Sequence, residues 1–91
     1  MELNNGSKYL GEFQQDEQSG LGRFNWTFGH NYGGQYQFGG RHGFGVMTWK
    51  NGTVYRGQWQ NDDMHGHGSL LNDRGQKVQD GYFENNVFVG N

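Results

Sequence analysis

Apolar positions alternate with polar ones along this chain, and the pattern starts again every 23 residues. Tyr9, Gly11 and Phe13 fall on every second position, as do Gly20, Gly22, Phe24 and Trp26. This is the two-residue period of a β-strand with one covered face. The same step links Tyr9, Tyr32 and Tyr55, then Gly11, Gly34 and Gly57, then Phe13, Tyr36 and Trp59. It links Gly20, Gly43 and Gly66 as well, then Gly22, Gly45 and Gly68, then Phe24, Met47 and Leu70, and Trp26 recurs at Trp49. A fixed period of this size marks stacked structural repeats.

Each unit reads as a β-hairpin. Six residues separate Phe13 from Gly20, and closing them predicts Phe13 opposite Gly20, Gly11 opposite Gly22 and Tyr9 opposite Phe24, all on one face. A glycine opposite a ring lets the ring lie on bare backbone. Between units, Lys50-Asn51-Gly52 is the strongest turn signal. A three-residue loop with Gly52 left-handed keeps Trp49 and Tyr55 on one face, which a two-residue turn does not. Thr27-Phe28-Gly29 and Asp73-Arg74-Gly75 occupy the same place. The predicted fold is all-β: a single-layer, twisted antiparallel meander of consecutive hairpins, with about three and a half repeats in a ribbon about 35 Å long. One domain is expected over residues 1–91, with repeats at approximately 9–31, 32–54 and 55–77 and a degenerate partial repeat at 78–91. In that last copy Val78 falls in the tyrosine column and Gly81 is displaced by one residue, and no Gly-x-Gly strand follows.

Composition agrees and removes several functions. Seven Phe, five Tyr and three Trp with 18 glycines make a turn-rich, ring-rich β composition. Cysteine is absent, which excludes a disulfide framework, a thiolate metal cage and a cysteine nucleophile. Seven basic and nine acidic residues give a net charge of −2, no field for nucleic acid. No run approaches the roughly 18 apolar residues of a membrane-spanning helix, and the first residues show no apolar signal core, so a cytoplasmic setting is expected.

Candidate chemistry reduces to packing. His42 and His65 share a repeat column about 9.6 Å apart, too far for one zinc. His65 and His67 lack a third ligand at suitable spacing. Asp16-Glu17 and Asp62-Asp63 are acidic loop tips without the further ligands that calcium needs. The Gly-x-Gly elements open no helix and are packing glycines, not a dinucleotide loop. Ser7, Ser19 and Ser69 have no His and acid partners that the repeat brings together. The expectation is no enzyme, no metal and no cofactor.

At Tyr55-Arg-Gly57-Gln-Trp59, followed by Asn61-Asp62 and His65-Gly66-His-Gly68, the chain resembles the MORN (membrane occupation and recognition nexus) repeat family. Tyr32-Gly-Gly34-Gln-Tyr36 with His42-Gly43-Phe-Gly45 is a second copy. The first copy departs, with Ser19 for His, Asp16 for the loop Gly and Phe13 for Trp. Asp tolerates the left-handed geometry that the loop requires. The resemblance implies a single-layer sheet used for binding, as in scaffolds at cytoskeletal, ciliary or axonemal and membrane-contact structures.

With no facing layer in the sequence, the aromatic side is expected to leave a partly exposed groove. The expected partner-binding residues are Tyr9, Phe13, Trp26, Tyr32, Tyr36, Trp49, Tyr55 and Trp59 in that groove, for a peptide or helix. Tyr82, Phe83 and Phe88 are expected at an open C-terminal edge that a strand or a second copy pairs with. A non-enzymatic protein-interaction scaffold is therefore the first expectation. Anionic phospholipid binding is the alternative, opposed by basic residues that look scattered along the chain. Choline or carbohydrate recognition comes third, since the Gly-Trp dipeptides of such hairpin modules are absent.

Overall fold

A computed structural model describes residues 6–27 and 29–90. Eight strands follow one another: β1 (Lys8–Gln14), β2 (Glu17–Asn25), β3 (Asn31–Gln37), β4 (Gly40–Thr48), β5 (Val54–Gln60), β6 (Asp63–Leu71), β7 (Lys77–Glu84) and β8 (Val87–Gly90). They form one sheet in chain order, every neighbouring pair antiparallel. The longest dimension is 37 Å, as the strand spacing predicts.

Two kinds of turn alternate. Within a repeat the strands run further than the six-residue gap suggests and close on two residues: Gln15-Asp16, Phe38-Gly39, Asn61-Asp62 and Asn85-Asn86, all at positive φ. That is the twist-matched hairpin turn, and Asp16 at φ 67° takes it without glycine. Between repeats the three-residue loop holds. Trp49 N–H donates to Thr53 O at 2.8 Å and Gly52 N–H to Trp49 O at 2.9 Å, with Gly52 at φ 92°. Trp26 with His30, and Asn72 with Gln76, close the other two loops in the same way. Phe28 of the expected Thr27-Phe28-Gly29 turn lies outside the described residues.

The register corrects one expected pairing. Gly11 does face Gly22, and Tyr9 faces Phe24, but Phe13 faces Gln18. Two extra residues bulge out of the second strand of each of the first three hairpins, so Gly20 faces Tyr36, Gly43 faces Trp59 and Gly66 faces Phe83, each ring in the next repeat. A side chain fills each bulge: Oε1 of Glu12, Gln35 and Gln58 accepts the N–H of Leu21, Phe44 and His67 at 2.8, 2.8 and 3.0 Å. Gly20, Gly43 and Gly66 sit at positive φ beside that oxygen, where a Cβ would strike it. This Glu/Gln column also has the 23-residue step.

The fourth copy differs from expectation too. Leu71 pairs with Lys77 and Leu70 with Gln79, so a bulge absorbs one extra residue. Gln79, not Val78, then stands where the tyrosines stand, and Gly81 and Phe83 return to register opposite Gly68 and Gly66. A short last strand, β8, does form on β7.

Close approach explains the glycines of the centre. Gly11, Gly22, Gly34, Gly45, Gly57, Gly68 and Gly81 face one another in a continuous row across β1 to β7. Tyr9, Tyr32 and Tyr55 lie over this row and are fully buried. Their hydroxyls donate to the carbonyls of Glu12, Gln35 and Gln58 at 2.8–2.9 Å. The rings then contact one another edge to face in a single ladder, Phe13, Tyr9, Tyr36, Tyr32, Trp59, Tyr55, Phe83 and Phe88, with centroids 5.0–5.4 Å apart. Each such contact contributes about 0.5–1.5 kcal/mol beyond the area it buries. The ladder ties every repeat to the next and is the core of a sheet with no second layer.

Candidate functional site

The aromatic face is a trough with a spent floor. Tyr9, Tyr32, Tyr36, Tyr55, Trp59 and Phe83 are each at most 7% exposed, so six of the eleven expected partner-binding side chains are covered by their neighbours. Four of their polar atoms are engaged as well. The Tyr9, Tyr32 and Tyr55 hydroxyls are bonded as above, and Trp59 Nε1 donates to Gly45 O at 3.3 Å. Burial pushes the Tyr55 phenol up to about 12 and raises Tyr9, Tyr32 and Tyr36 as well, because an ionised ring would lose its water.

What remains accessible stands on the walls. Trp26 and Trp49 close the loop side, while Met64, Leu70 and Phe88 pack against the core and stay partly exposed. Trp49, Met64 and Leu70 line one apolar depression with His30, Lys50 and Thr53. Trp26 and Phe24 line another with Arg41 and Asp62. Phe13, 47% exposed, ends the ladder at β1. Of the expected edge residues, Tyr82 and Phe83 lie on β7, which β8 covers, and Phe88 alone is on the outermost described strand. Tyr82 points to the opposite face and stacks on His67 with centroids 4.0 Å apart.

The turn-side wall was not legible in the sequence. Gln18, Arg41, Met64 and Phe88 occupy equivalent positions between bulge and turn, opposite Phe13, Tyr36, Trp59 and Phe83. They are chemically unlike, and only the 23-residue step relates the first three. The turns stack there. The N–H of Gly39, Asp62 and Asn86 donates to the carbonyl of Gln18, Arg41 and Met64, each at 3.0 Å. Asp62 Oδ1 also accepts Arg41 N–H at 2.9 Å, as Asn86 Oδ1 accepts Met64 N–H at 2.8 Å. Arg41 Nε meets Asp62 Oδ1 at 2.8 Å, and the guanidinium lies 4.6 Å over the Trp59 ring and 5.9 Å from Trp26.

Two further expectations change. Ser69 does meet an acid: its Oγ donates to Asp80 Oδ1 across β6 and β7. His67 shares the face two residues along but stacks on Tyr82, so no Ser-His-Asp relay is assembled. The charges are also not scattered, because the glycine row sorts them. Among the described residues, Glu12, Asp16, Glu17, Asp62, Asp63 and Glu84 lie on its turn side with only Arg41 opposing, and Lys8, Arg23, Lys50, Arg56, Arg74 and Lys77 lie on its loop side against Asp73 and Asp80. A net charge near zero conceals a sheet with one acidic and one basic long margin. Among the described residues no group of three or more His, Cys, Asp or Glu is placed to hold a metal ion, and no helix is long and apolar enough to cross a membrane.

Comparison with curated proteins finds no match. The profile described as MORN repeat matches three times, over residues 9–27, 32–54 and 55–76, in register with the tyrosine, glycine and turn columns that build the sheet. The chain belongs to the MORN repeat family.

Proposed function

We propose that this protein is a non-enzymatic protein-interaction scaffold that binds its partner in the trough of its aromatic face. MORN repeats are commonly modules of protein or membrane interaction, and the family is a binding repeat without catalytic character. One observation carries the specific reading: Trp26, Trp49, Met64, Leu70 and Phe88 stay partly exposed beside a buried core, on a face that no other described element covers. Partly exposed tryptophans around a rigid floor are the residues from which binding hot spots are made. A cytoplasmic setting, with a place in a cytoskeletal or ciliary assembly, belongs to the same proposal and rests on the family resemblance.

The test is a pull-down from native extract with the immobilised chain, washed at about 1 M salt, where screening shortens to about 3 Å. The Trp26→Ala/Trp49→Ala variant runs in parallel, its fold checked by circular dichroism. A protein retained by the wild type and lost by the variant is the expected result; equal retention by both overturns the trough as the site. A second reading, peripheral binding to anionic phospholipid, has the basic loop margin in its favour. Flotation with vesicles containing phosphatidylserine, released by salt, is the outcome that would put it first.

A further inference from the structure

The face turned away from the trough carries most of the exposed apolar surface. Of the nine large apolar side chains that stand exposed among the described residues, six lie there: Leu10, Leu21, Phe44, Tyr82, Val87 and Val89. Such a concentration on one side marks an interaction surface. No other described element covers it.

The charges on this same face are sorted about the glycine row. Counted along the strands with the bulges set aside, Lys8, Arg23, Arg56 and Lys77 stand one or three residues from the row on the loop side. Glu17, Asp63 and Glu84 stand three residues from it on the turn side. An odd step puts each of them on the face opposite the tyrosines. Only Lys77 has an acid partner within the chain, Asp80 at 3.9 Å, and Asp80 is also engaged by Ser69 Oγ. Glu12 shares the face but is spent on its bulge, and Asp63 takes a neutral hydrogen bond from Asn86 Nδ2.

This distribution is self-complementary in one orientation. Two sheets stacked face to face lie about 10 Å apart with their strands nearly aligned. A two-fold axis parallel to the strands would lay bases on bases and acids on acids. A two-fold axis along the sheet, above the glycine row, lays the basic half of each copy on the acidic half of the other. Lys77 then stands over Glu84 of the second copy, Arg23 reaches Glu17 of the second copy two residues along the same strand, and Arg56 lies diagonal to Asp63 of the second copy. Phe44 and Val46, which flank Gly45 in β4, meet their counterparts at the centre. The sheet measures 37 by 24 Å, so one face presents about 900 Å2, against the roughly 800 Å2 per partner of a standard interface.

We propose that this face joins two copies of the chain in a two-fold dimer whose axis runs along the sheet, with Phe44 and Val46 at its centre. The apolar centre supplies the affinity, and the ion pairs around it fix the orientation. Both aromatic troughs are left facing outward. The proposal goes beyond the trough reading and does not depend on it.

The test is sedimentation velocity of the full chain between about 2 and 200 µM at about 50 mM salt. A concentration-dependent dimer is expected, weakened about tenfold or more in Phe44→Ser, a position 56% exposed. Arg23→Glu/Arg56→Glu and Glu17→Lys/Glu84→Lys, all at exposed positions, should each lose about as much alone, and an equimolar mixture of the two should recover wild-type association. Circular dichroism checks that each variant keeps its fold. A monomer throughout overturns the proposal, as does association that Phe44→Ser leaves unchanged. Phe44-dependent association without recovery in the mixture overturns the two-fold axis along the sheet. Trp26→Ala/Trp49→Ala should leave the dimer intact; its loss there would move the contact to the aromatic face and overturn the assignment.

Discussion

Gly33 and Gly34 are neighbours in one strand, and the same substitution at each is expected to act in opposite directions. A Cβ at Gly34 would overlap the Gly45 Cα across the sheet and stand 2.6 Å from Phe44 O and 2.8 Å from Tyr32 Oη. Two of these are backbone atoms of β4 and cannot rotate away, so the strands must part or the Tyr32 ring must lift. Overpacking of this kind costs about 1–3 kcal/mol, and a ring displaced from its carbonyl forfeits about 1 kcal/mol more. Gly33 faces the other side, with nothing within 4 Å of its would-be Cβ and no positive φ. Alanine there removes unfolded-chain freedom and stabilises by about 0.4–1 kcal/mol. The two variants should differ by about 2.5–5 kcal/mol, which at about 4–8 °C per kcal/mol for a domain of this size separates their melting points by at least about 10 °C. Urea and thermal unfolding followed by tryptophan fluorescence and far-UV circular dichroism give both quantities. If the two unfold within about 0.5 kcal/mol of each other, the glycine row is not a close-packed line and the account of the core is wrong.

Three other expectations follow from the same contacts. The buried phenols are raised above their unfolded value of 10, so the stability they confer is complete below pH 10 and is lost as pH rises through 10 toward about 12, where the unfolded chain releases protons that the fold retains. With four such rings the loss reaches at most about 5 kcal/mol per pH unit, and a denaturant midpoint flat from pH 10 to 12 would contradict it. Gln35→Ala removes the acceptor for Phe44 N–H and should cost about 1 kcal/mol, whereas Gln35→Glu should be nearly silent because Glu12 does the same work in the first repeat; equal losses would show that the bulge does not need that oxygen. Asp62→Asn keeps the acceptor for Arg41 N–H and loses only an ion pair exposed at its Asp62 end, so it should cost under about 1 kcal/mol, while Asp62→Ala should cost about 1–2 kcal/mol. A large, salt-sensitive loss in Asp62→Asn would assign the weight to charge instead.

The exposed apolar side chains are not confined to the trough. Leu10, Leu21, Phe44 and Tyr82 stand on the opposite face, as a one-layer sheet allows. They lie apart from the ring ladder, which is why the trough walls rather than these residues adjoin a rigid floor.

The 23-residue columns alone determined the all-β class, the meander, the first three hairpins and the three-residue loops, because side-chain alternation and turn chemistry are local properties. Tyr9, Tyr32 and Tyr55 were legible as core for the same reason. Register was not local. Whether Gly20 faces Phe13 or Tyr36 depends on a bulge held by a Glu12 side chain folded back on the backbone, and whether Val78 or Gln79 takes the tyrosine place depends on one extra residue absorbed at Leu70 and Leu71. Pairing in a sheet is settled by the total fit of both strands, which no single strand's pattern encodes. The same holds for the candidate site. Arg41, Met64 and Phe88 share no chemistry that a repeat search could align, and the charges look mixed along the chain. Only antiparallel pairing sorts acids to one margin and bases to the other, since consecutive strands run in opposite directions and bring distant residues to the same side.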